Sequence, residues 1–303
     1  MKYIDHLLHQ VNKKQILYYL PFTLFYLMIM LVNGLIAKYS SISTQEIIQS
    51  QVELLGKNAA FFQLIFPFAI FLVLLALWVL FVHKQSLVSL TTSRTKIDLK
   101  RFGFAFGCQT ALILLSFIIS YLFNPTHLVF NFNLTAFLGF FVIALIFIPI
   151  QTSFEEYFFR AYMMQGVGLA TRSRGMGIAL IVTSVVFGLL HLANPEVEVL
   201  GGGIMVYYIG TGFFLGIMTL MDDGLELALG FHAANNLIGA LLVTSSWTVF
   251  QTNSLFLNTT PIDAISVWEF IWQVFVFYPI LLVIFAKRYK WTDWKNRLLG
   301  RVA

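Results

Sequence analysis

Two adjacent carboxylates and an arginine interrupt a long apolar run at residues 154–160, FEEYFFR. Ionisable groups at membrane depth are costly, and they usually face a protein interior or a water-filled cavity and mark function. Glu156 and Arg160 are four residues apart, so on a helix they share a face and can pair. Glu155 lies about 100° around the helix from Glu156 and is expected to point into a cavity. A purely structural ion pair would leave Glu155 as a costly unpaired carboxylate.

Two further polar clusters lie in later apolar stretches, and both contain histidine. His191 ends the sequence FGLLH, whose glycine indicates a close helix approach nearby. His232 and Asn236 are four residues apart and project from one helix face, whereas Asn235 is expected to lie off that face. Interhelical hydrogen bonding could explain either cluster alone. Three clusters on separate helices, with carboxylates, imidazoles and an amide, favour a functional site.

The composition indicates a polytopic membrane protein. Of 303 residues, 59% are hydrophobic and only 11% are charged, and the mean hydropathy is +0.82. Soluble domains carry about 25% charged residues. We therefore expect an all-α transmembrane bundle of about eight spans, each needing roughly 20 residues. The candidate spans are Ile16–Ala37, Ala59–Val82, Phe102–Phe123, one span within Leu134–Ala170, Met176–Ala193, Ile204–Met221, Leu225–Val243 and Val267–Ala286.

The basic residues indicate how such a bundle is oriented. Of the 19 Lys and Arg residues, all but Lys38 and Lys57 lie on one side of the eight-span topology. By the positive-inside rule both termini are then cytoplasmic. The net charge of +5 thus reflects membrane orientation and not nucleic-acid binding. The single cysteine, Cys108, lies in an apolar run and allows no internal disulfide.

The fourth apolar run is longer than one span requires. If its span began at Leu134, Glu155 would lie at the cytoplasmic end, roughly 20 Å or more from His191. We therefore prefer a span from about residue 145 to residue 170, with a kink at Pro149 and Glu155 near the middle of the membrane.

The three clusters resemble the signature of the CPBP intramembrane protease family, which includes the CAAX prenyl endopeptidases and bacterial Abi-type proteins. That signature is EExxxR, FxxxH and HxxxN on successive helices. Its order and spacing match over about residues 135–245, although Ala161 stands where the family often has glycine. The resemblance implies hydrolysis of a peptide bond in the membrane, in a CAAX-like or leader peptide. The matching residues are Glu155, Glu156 and Arg160; Phe187 and His191; and His232 and Asn236.

Amide hydrolysis needs an activated water and stabilisation of an oxyanion, and both needs can be assigned to these residues. Glu155, in a poorly solvated cavity, would take a proton from water that His191 orients. His232 and Asn236 would donate to the oxyanion, an interaction worth about 3–4 kcal/mol per donor in other enzymes. The Glu–Arg pair of the first cluster would support Glu155.

The same residues also suggest a zinc metalloprotease. His191 and His232 with one carboxylate, for which Glu155 is the candidate, resemble a two-histidine, one-glutamate catalytic site. The sequence lacks HExxH, the usual signature of soluble zinc proteases. The residues leave both mechanisms open, and we favour the metal-free one because only two histidines converge.

Other functions remain as alternatives. Glu155 and the two histidines could form the proton relay of a secondary transporter, or the chain could be a catalytically silent Abi-type immunity or scaffold protein. Serine and aspartyl proteases fit poorly, because GxSxG is absent and Asp222 and Asp223 are adjacent at a span end.

We divide the chain into three parts: 1–133 with three transmembrane helices, a catalytic core at 134–245, and 246–303 with the last helix and a basic cytoplasmic tail. We expect the surroundings to be the lipid bilayer of a bacterial plasma membrane. The expected partner is a membrane-associated peptide or protein substrate, and no nucleic acid.

Overall fold

The computed structural model describes residues 3–7, 15–40, 42–172 and 175–302, and these residues are mostly helical. Among the residues that carry the predicted charge asymmetry, Lys2, Lys13, Lys14 and Arg174 lie outside the described ranges. The α-helices are α1 (Tyr19–Tyr39), α2 (Thr44–Leu55), α3 (Lys57–Trp78), α4 (Leu87–Thr91), α5 (Leu99–Phe123), α6 (Leu134–Glu156), α7 (Met164–Thr171), α8 (Gly175–Leu189), α9 (Pro195–Leu200), α10 (Met205–Asp222), α11 (Glu226–Leu242), α12 (Trp268–Trp272), α13 (Tyr278–Tyr289) and α14 (Trp294–Leu299). The strands are β1 (Leu128–Phe130), β2 (Val243–Thr244) and β3 (Phe256–Asn258).

Six helices in the described residues are long and apolar enough to cross a membrane. They span Ile16–Tyr39, Lys57–His83, Leu134–Thr171, Leu99–Phe123, Pro195–Asp222 and Trp268–Tyr289. The predicted all-α polytopic bundle is therefore confirmed, and the chain is a multi-pass integral membrane protein. The other two predicted spans correspond to shorter helices, α8 with 15 residues and α11 with 17. The count of eight spans and the cytoplasmic termini stay predictions.

The helices run between two distinct ends of the bundle. At the sheet end, β3 pairs antiparallel with β1 and parallel with β2. At the opposite end, which we call the charge end, Arg94 contacts Glu226 at 2.6 Å and Asp222 at 3.4 Å. Arg101 binds the same Asp222 carboxylate. Helices α5 and α11 both begin at the charge end and lead into strands of the sheet end, so each runs the length of the bundle.

The helix that carries the two glutamates is continuous over 38 residues, Leu134–Thr171. At about 1.5 Å per residue it is about 57 Å long, well beyond a hydrocarbon core of about 30 Å. Pro149 lies inside α6, and a π-helical segment, Tyr157–Met163, joins α6 to α7. Such segments occur frequently at functional sites. The preferred span from residue 145 to residue 170 stays a prediction.

Helices α8 and α10 approach each other closely because glycines lie at their contact. A Cβ on Gly188 would overlap Ile209, and a Cβ on Gly212 would lie 2.6 Å from the carbonyl oxygen of Ser184. The close helix approach predicted from Gly188 is thus confirmed. It brings the backbone of α10 against the helix that ends just before His191.

Candidate functional site

Side chains from all three polar clusters line one cavity of about 740 Å³. Glu155 comes from α6, His191 lies just past α8, and His232 and Asn236 come from α11. The structure therefore brings together the four residues to which the sequence assigns catalysis. The wall also includes residues from outside 134–245, among them Tyr26, Leu64, Ser116, Trp247, Phe250 and Gln273.

Glu156 and Arg160 form an ion pair in which neither side chain is exposed. Arg160 Nη1 lies 3.2 Å from Glu156 Oε1, and Nη2 donates to the carbonyl oxygen of Gly212 at 3.4 Å. The guanidinium carbon also lies 4.1 Å from the centroid of the Phe187 ring, which is a cation–π contact. Burying two charges is costly, and these further contacts offset part of that cost. The arginine thereby joins its own helix to α8 and α10.

His232 lies between the two carboxylates of the first cluster. Its Nδ1 is 2.7 Å from Glu156 Oε1, and its Nε2 is 3.5 Å from Glu155 Oε2. Glu156 Oε1 already meets the Arg160 guanidinium as an acceptor, so it accepts from His232 as well and the Nδ1–H donates. The other nitrogen, Nε2, then faces Glu155. The sequence indicated Arg160 as the partner of Glu156, and the structure adds His232 as a second one.

His191 is held through its Nδ1, which lies 2.8 Å from the carbonyl oxygen of Phe187. A carbonyl only accepts, so Nδ1 carries the proton, and in the neutral ring Nε2 is left as an acceptor. The ring stacks on Tyr208 at a centroid distance of 4.4 Å. The Phe187 ring lies 4.8 Å from the His191 ring and 6.2 Å from that of His232. The four-residue spacing of FxxxH thus places a carbonyl where it fixes the imidazole.

Four side-chain amides form a hydrogen-bonded chain from α5 to α6. Gln109 Nε2 donates to Asn235 Oδ1 at 2.9 Å, and Asn235 Nδ2 donates to Asn236 Oδ1 at 3.1 Å. Asn236 Nδ2 in turn donates to Gln151 Oε1 at 3.1 Å. Because a primary amide has two N–H groups, Asn236 keeps one for a ligand in the cavity.

Asn235, expected to lie off the face that His232 and Asn236 share, also lines the cavity. The cavity extends around α11 far enough to reach two neighbouring positions. Sequence reasoning also missed Gln151, Gln109 and Tyr208. Gln151 precedes Glu155 by four residues and so shares its helix face, which is a signal that the sequence contains. Gln109 and Tyr208 lie on helices without a motif, and only the fold brings them to the site.

The zinc hypothesis requires three converging ligands. Within the described ranges, no group of three or more His, Cys, Asp or Glu side chains is placed to hold a metal ion. Glu155, His191 and His232 share the cavity without forming such a group. The donor arrangement in this structure therefore does not fit a two-histidine, one-glutamate site, and we derive no step through a metal.

Comparison with known proteins identifies relatives of the segment that carries the site. Residues 134–238 match the family model described as type II CAAX prenyl endopeptidase Rce1-like. The chain is 32% identical over 173 residues to "Uncharacterized protein YyaK" of Bacillus subtilis (strain 168). This alignment covers 56% of the chain and 56% of that protein, so the match spans about half of each. No solved structure matches the chain.

Proposed function

Because residues 134–238 belong to the CPBP family of CAAX-type intramembrane proteases, we propose that this protein is an intramembrane endopeptidase. Its substrate is a membrane-associated peptide or protein. The observation that carries the proposal is the shared cavity, which Glu155, His191, His232 and Asn236 all line. We propose a bacterial plasma membrane as its location, in keeping with the bacterial relative.

Glu155 is the proposed general base. Water attacks the carbonyl carbon of the scissile amide while its proton passes to the Glu155 carboxylate. His191 orients this water through Nε2, the nitrogen left as an acceptor by the bond from Nδ1 to Phe187. When the tetrahedral intermediate collapses, the C–N bond breaks and Glu155 returns the proton to the departing amine. The products are a carboxylic acid and an amine.

Asn236 and His232 are the proposed oxyanion donors. Asn236 donates one N–H to Gln151 and has a second N–H for the developing negative charge. In the imidazolium form both ring nitrogens of His232 donate, Nδ1 to Glu156 and Nε2 to the oxyanion. Losing one oxyanion donor typically lowers kcat by about 10²–10³-fold.

Glu156 and Arg160 are proposed as supporting residues that do not touch the substrate. Their pair is fully buried, and Glu156 fixes His232 through Nδ1. The ion pair therefore sets the orientation of the imidazole that faces Glu155.

The test is to purify the full chain with Glu155→Gln or His191→Ala, to reconstitute each variant in vesicles and to follow membrane peptides by mass spectrometry. Candidate substrates come from comparing membrane peptides of cells with the unaltered protein and with Glu155→Gln. We expect cleavage to fall by about 10²–10⁴-fold, the usual contribution of general acid–base catalysis. In H₂¹⁸O the new carboxyl group should contain one ¹⁸O, which identifies hydrolysis. Glu53→Gln, an exposed acid on α2, is the matched control.

Other outcomes would support the alternative functions. If the unaltered protein and both variants cleave equally, or if none of the three cleaves, a silent immunity or scaffold protein is favoured. Proton-dependent flux in vesicles that survives Asn236→Ala, without cleavage, would favour transport. Stoichiometric zinc in the purified protein, together with loss of activity on chelation, would favour the metalloprotease.

A further inference from the structure

The catalytic cavity contains a second carboxylate, Glu196, whose role the proposed mechanism leaves open. Glu196 lies on α9, five residues beyond His191. Its Oε1 accepts a hydrogen bond from the backbone N–H of Val249 at 2.9 Å. Its Oε2 is buried and has no hydrogen-bond partner among the described residues. Leaving a buried acceptor unsatisfied is costly, so such a group in a cavity wall indicates a missing partner.

Trp247 provides a second unsatisfied group in the same wall. Its side chain is only 5% exposed, it lines the same cavity, and its Nε1–H has no partner within the part of the chain that the structure describes. It precedes Val249 by two residues, so their Cα atoms lie within about 7 Å of each other. The face of an indole ring attracts positive charge, so Trp247 adds to this wall a group that favours a cation, while its Nε1–H requires an acceptor from the same ligand.

The charged residues of the cavity wall also favour a cationic ligand. Among the described residues that line the cavity, the acids are Glu155 and Glu196, and none is Lys or Arg. Arg160 is close to the site, but it is fully buried and paired with Glu156. A negatively charged group of a ligand would therefore meet two carboxyl groups and no lysine or arginine of the described wall, in surroundings where charges interact more strongly than in water.

The distance between Glu196 and the reacting groups corresponds to a few substrate residues. The backbone N–H of Asn194 donates to the His191 carbonyl at 3.0 Å, so a tight turn follows His191. Such a turn keeps its ends within about 7 Å, and two more residues add at most about 8 Å. Glu196 therefore lies within about 15 Å of His191. An extended peptide covers that distance with about four residues.

We infer that Glu196 and Trp247 form a subsite for a cationic group, an ammonium or guanidinium, within about four residues of the scissile bond. The same wall disfavours a free C-terminal carboxylate at that distance. This inference rests on the proposed peptidase function and specifies its substrate as an internal, positively charged segment.

The test uses one peptide that the unaltered protein cleaves in vesicles. Synthetic versions have Lys, norleucine or Glu at each of the four positions on either side of the scissile bond. A further pair ends three residues beyond that bond, as a free acid or as an amide. Versions with a free or acetylated N-terminal amine separate a side-chain cation from a terminal one. At one position or more, we expect kcat/KM to be about tenfold higher for the Lys peptide than for the norleucine peptide, because Lys adds a hydrogen bond between charged groups. We expect kcat/KM to be lower for the Glu peptide than for the norleucine peptide. We expect the amide to be cleaved faster than the acid.

Glu196→Gln keeps the oxygen that accepts from Val249 and removes the charge, so it separates cation binding from loop anchoring. We expect it to bring the Lys-to-norleucine ratio close to one while norleucine cleavage continues. Glu198→Gln is the matched control, because this exposed acid is on the same helix outside the cavity lining. It should leave the ratio unchanged. Trp247→Phe replaces the indole by a phenyl ring, which attracts a cation less strongly, and we expect an intermediate ratio.

The possible failures are distinguishable. Equal cleavage of the cationic, norleucine and Glu peptides, or an acid cleaved as fast as its amide, would overturn the inference and leave the peptidase function standing. This comparison needs only the unaltered protein, so it holds even if Glu196→Gln fails to fold. A ratio that survives in a folded Glu196→Gln variant would also overturn it. Cleavage that survives Glu155→Gln would instead contradict the proposed function.

Discussion

At the scale of single residues, Glu156 is the side chain on which the others depend. One of its oxygens meets both Arg160 Nη1, at 3.2 Å, and His232 Nδ1, at 2.7 Å. Both donors meet Oε1, whereas Oε2 is buried and has no hydrogen-bond partner among the described residues. Glu156 orients the ring of His232 through Nδ1, and so sets the direction of Nε2, the nitrogen that faces Glu155.

Removing one partner of the buried pair should strongly destabilise the protein. Glu156→Gln leaves Arg160 buried without a counter-charge, and we expect a loss of about 3–5 kcal/mol in the free energy of unfolding. Arg160→Met likewise leaves the Glu156 carboxylate buried without its arginine partner. The double variant should lose less than the sum of the two, by about 1–3 kcal/mol. Unfolding by sodium dodecyl sulfate in mixed micelles provides the measurement.

Asp223→Asn is the matched control for the variants of Glu156 and Arg160. It breaks the 2.6 Å contact with Arg297, whose side chain is 24% exposed, and such pairs contribute about 1 kcal/mol or less. Asp223 has a φ of 57°, a conformation that asparagine also tolerates. A loss at Asp223 as large as that at Glu156 would show that burial does not determine the effect.

Single residues also show how much of the site the sequence reveals. The pairing of Glu156 with Arg160 follows from their four-residue spacing, and the structure has it. The stacking of Tyr208 on His191 joins residues on two different helices, so no spacing in the sequence predicts it. The place of Asn235 in the cavity wall does not follow from the sequence, because helix periodicity predicts direction but not how far a cavity extends around the helix.

At the scale of elements, the contact between α8 and α10 determines where His191 lies. Gly212 places its backbone against that of Ser184, and its carbonyl also accepts from Arg160. The three motifs predict which helices carry the chemistry. They do not predict the π-helical segment Tyr157–Met163 or the short strands, because both result from long-range packing and not from local propensity.

A methyl group at this helix contact should separate the two helices. In Gly212→Ala the new Cβ would lie 2.6 Å from a backbone oxygen, which cannot move as a side-chain end can. We expect a loss of about 1–3 kcal/mol in the free energy of unfolding, with reduced cleavage. Gly107→Ala on α5 is the control, because its Cβ would meet nothing within 4 Å. That variant should gain up to about 1 kcal/mol from helix propensity. Similar effects of the two substitutions would argue against a tight contact.

At the scale of the whole molecule, the charge end bears on the number of membrane crossings. The backbone N–H of Ser93 donates to the carbonyl of Asp223 at 3.0 Å, so the loop before α5 and the turn after α10 lie together. An even number of crossings must separate them. Four crossings separate them if α8 spans the membrane together with α5, α6–α7 and α10. Only three crossings would remain if α8 did not span it. This contact favours the predicted eight spans, although α8 is too short to be recognised by length alone.

Cysteine labelling tests this topology. In a Cys108→Ser background, eight spans place Glu198→Cys on the side opposite the termini, where an impermeant maleimide should label it in intact cells. Six spans, without crossings by α8 and α11, place it on the side of the termini, where it would be protected. Asp263→Cys, an exposed position, lies opposite the termini in both topologies and is the control. Labelling of Asp263→Cys alone would contradict the eight-span prediction.

The chain of amides from Gln109 to Gln151 begins on a helix outside the segment that matches the protease family. Through it, α5 sets the angle at which Asn236 presents its remaining N–H. A substitution on α5 could therefore change the position of Asn236 without any change in the three motifs. An excised fragment of residues 134–245 would keep all three motifs but lose this chain of hydrogen bonds and part of the cavity wall.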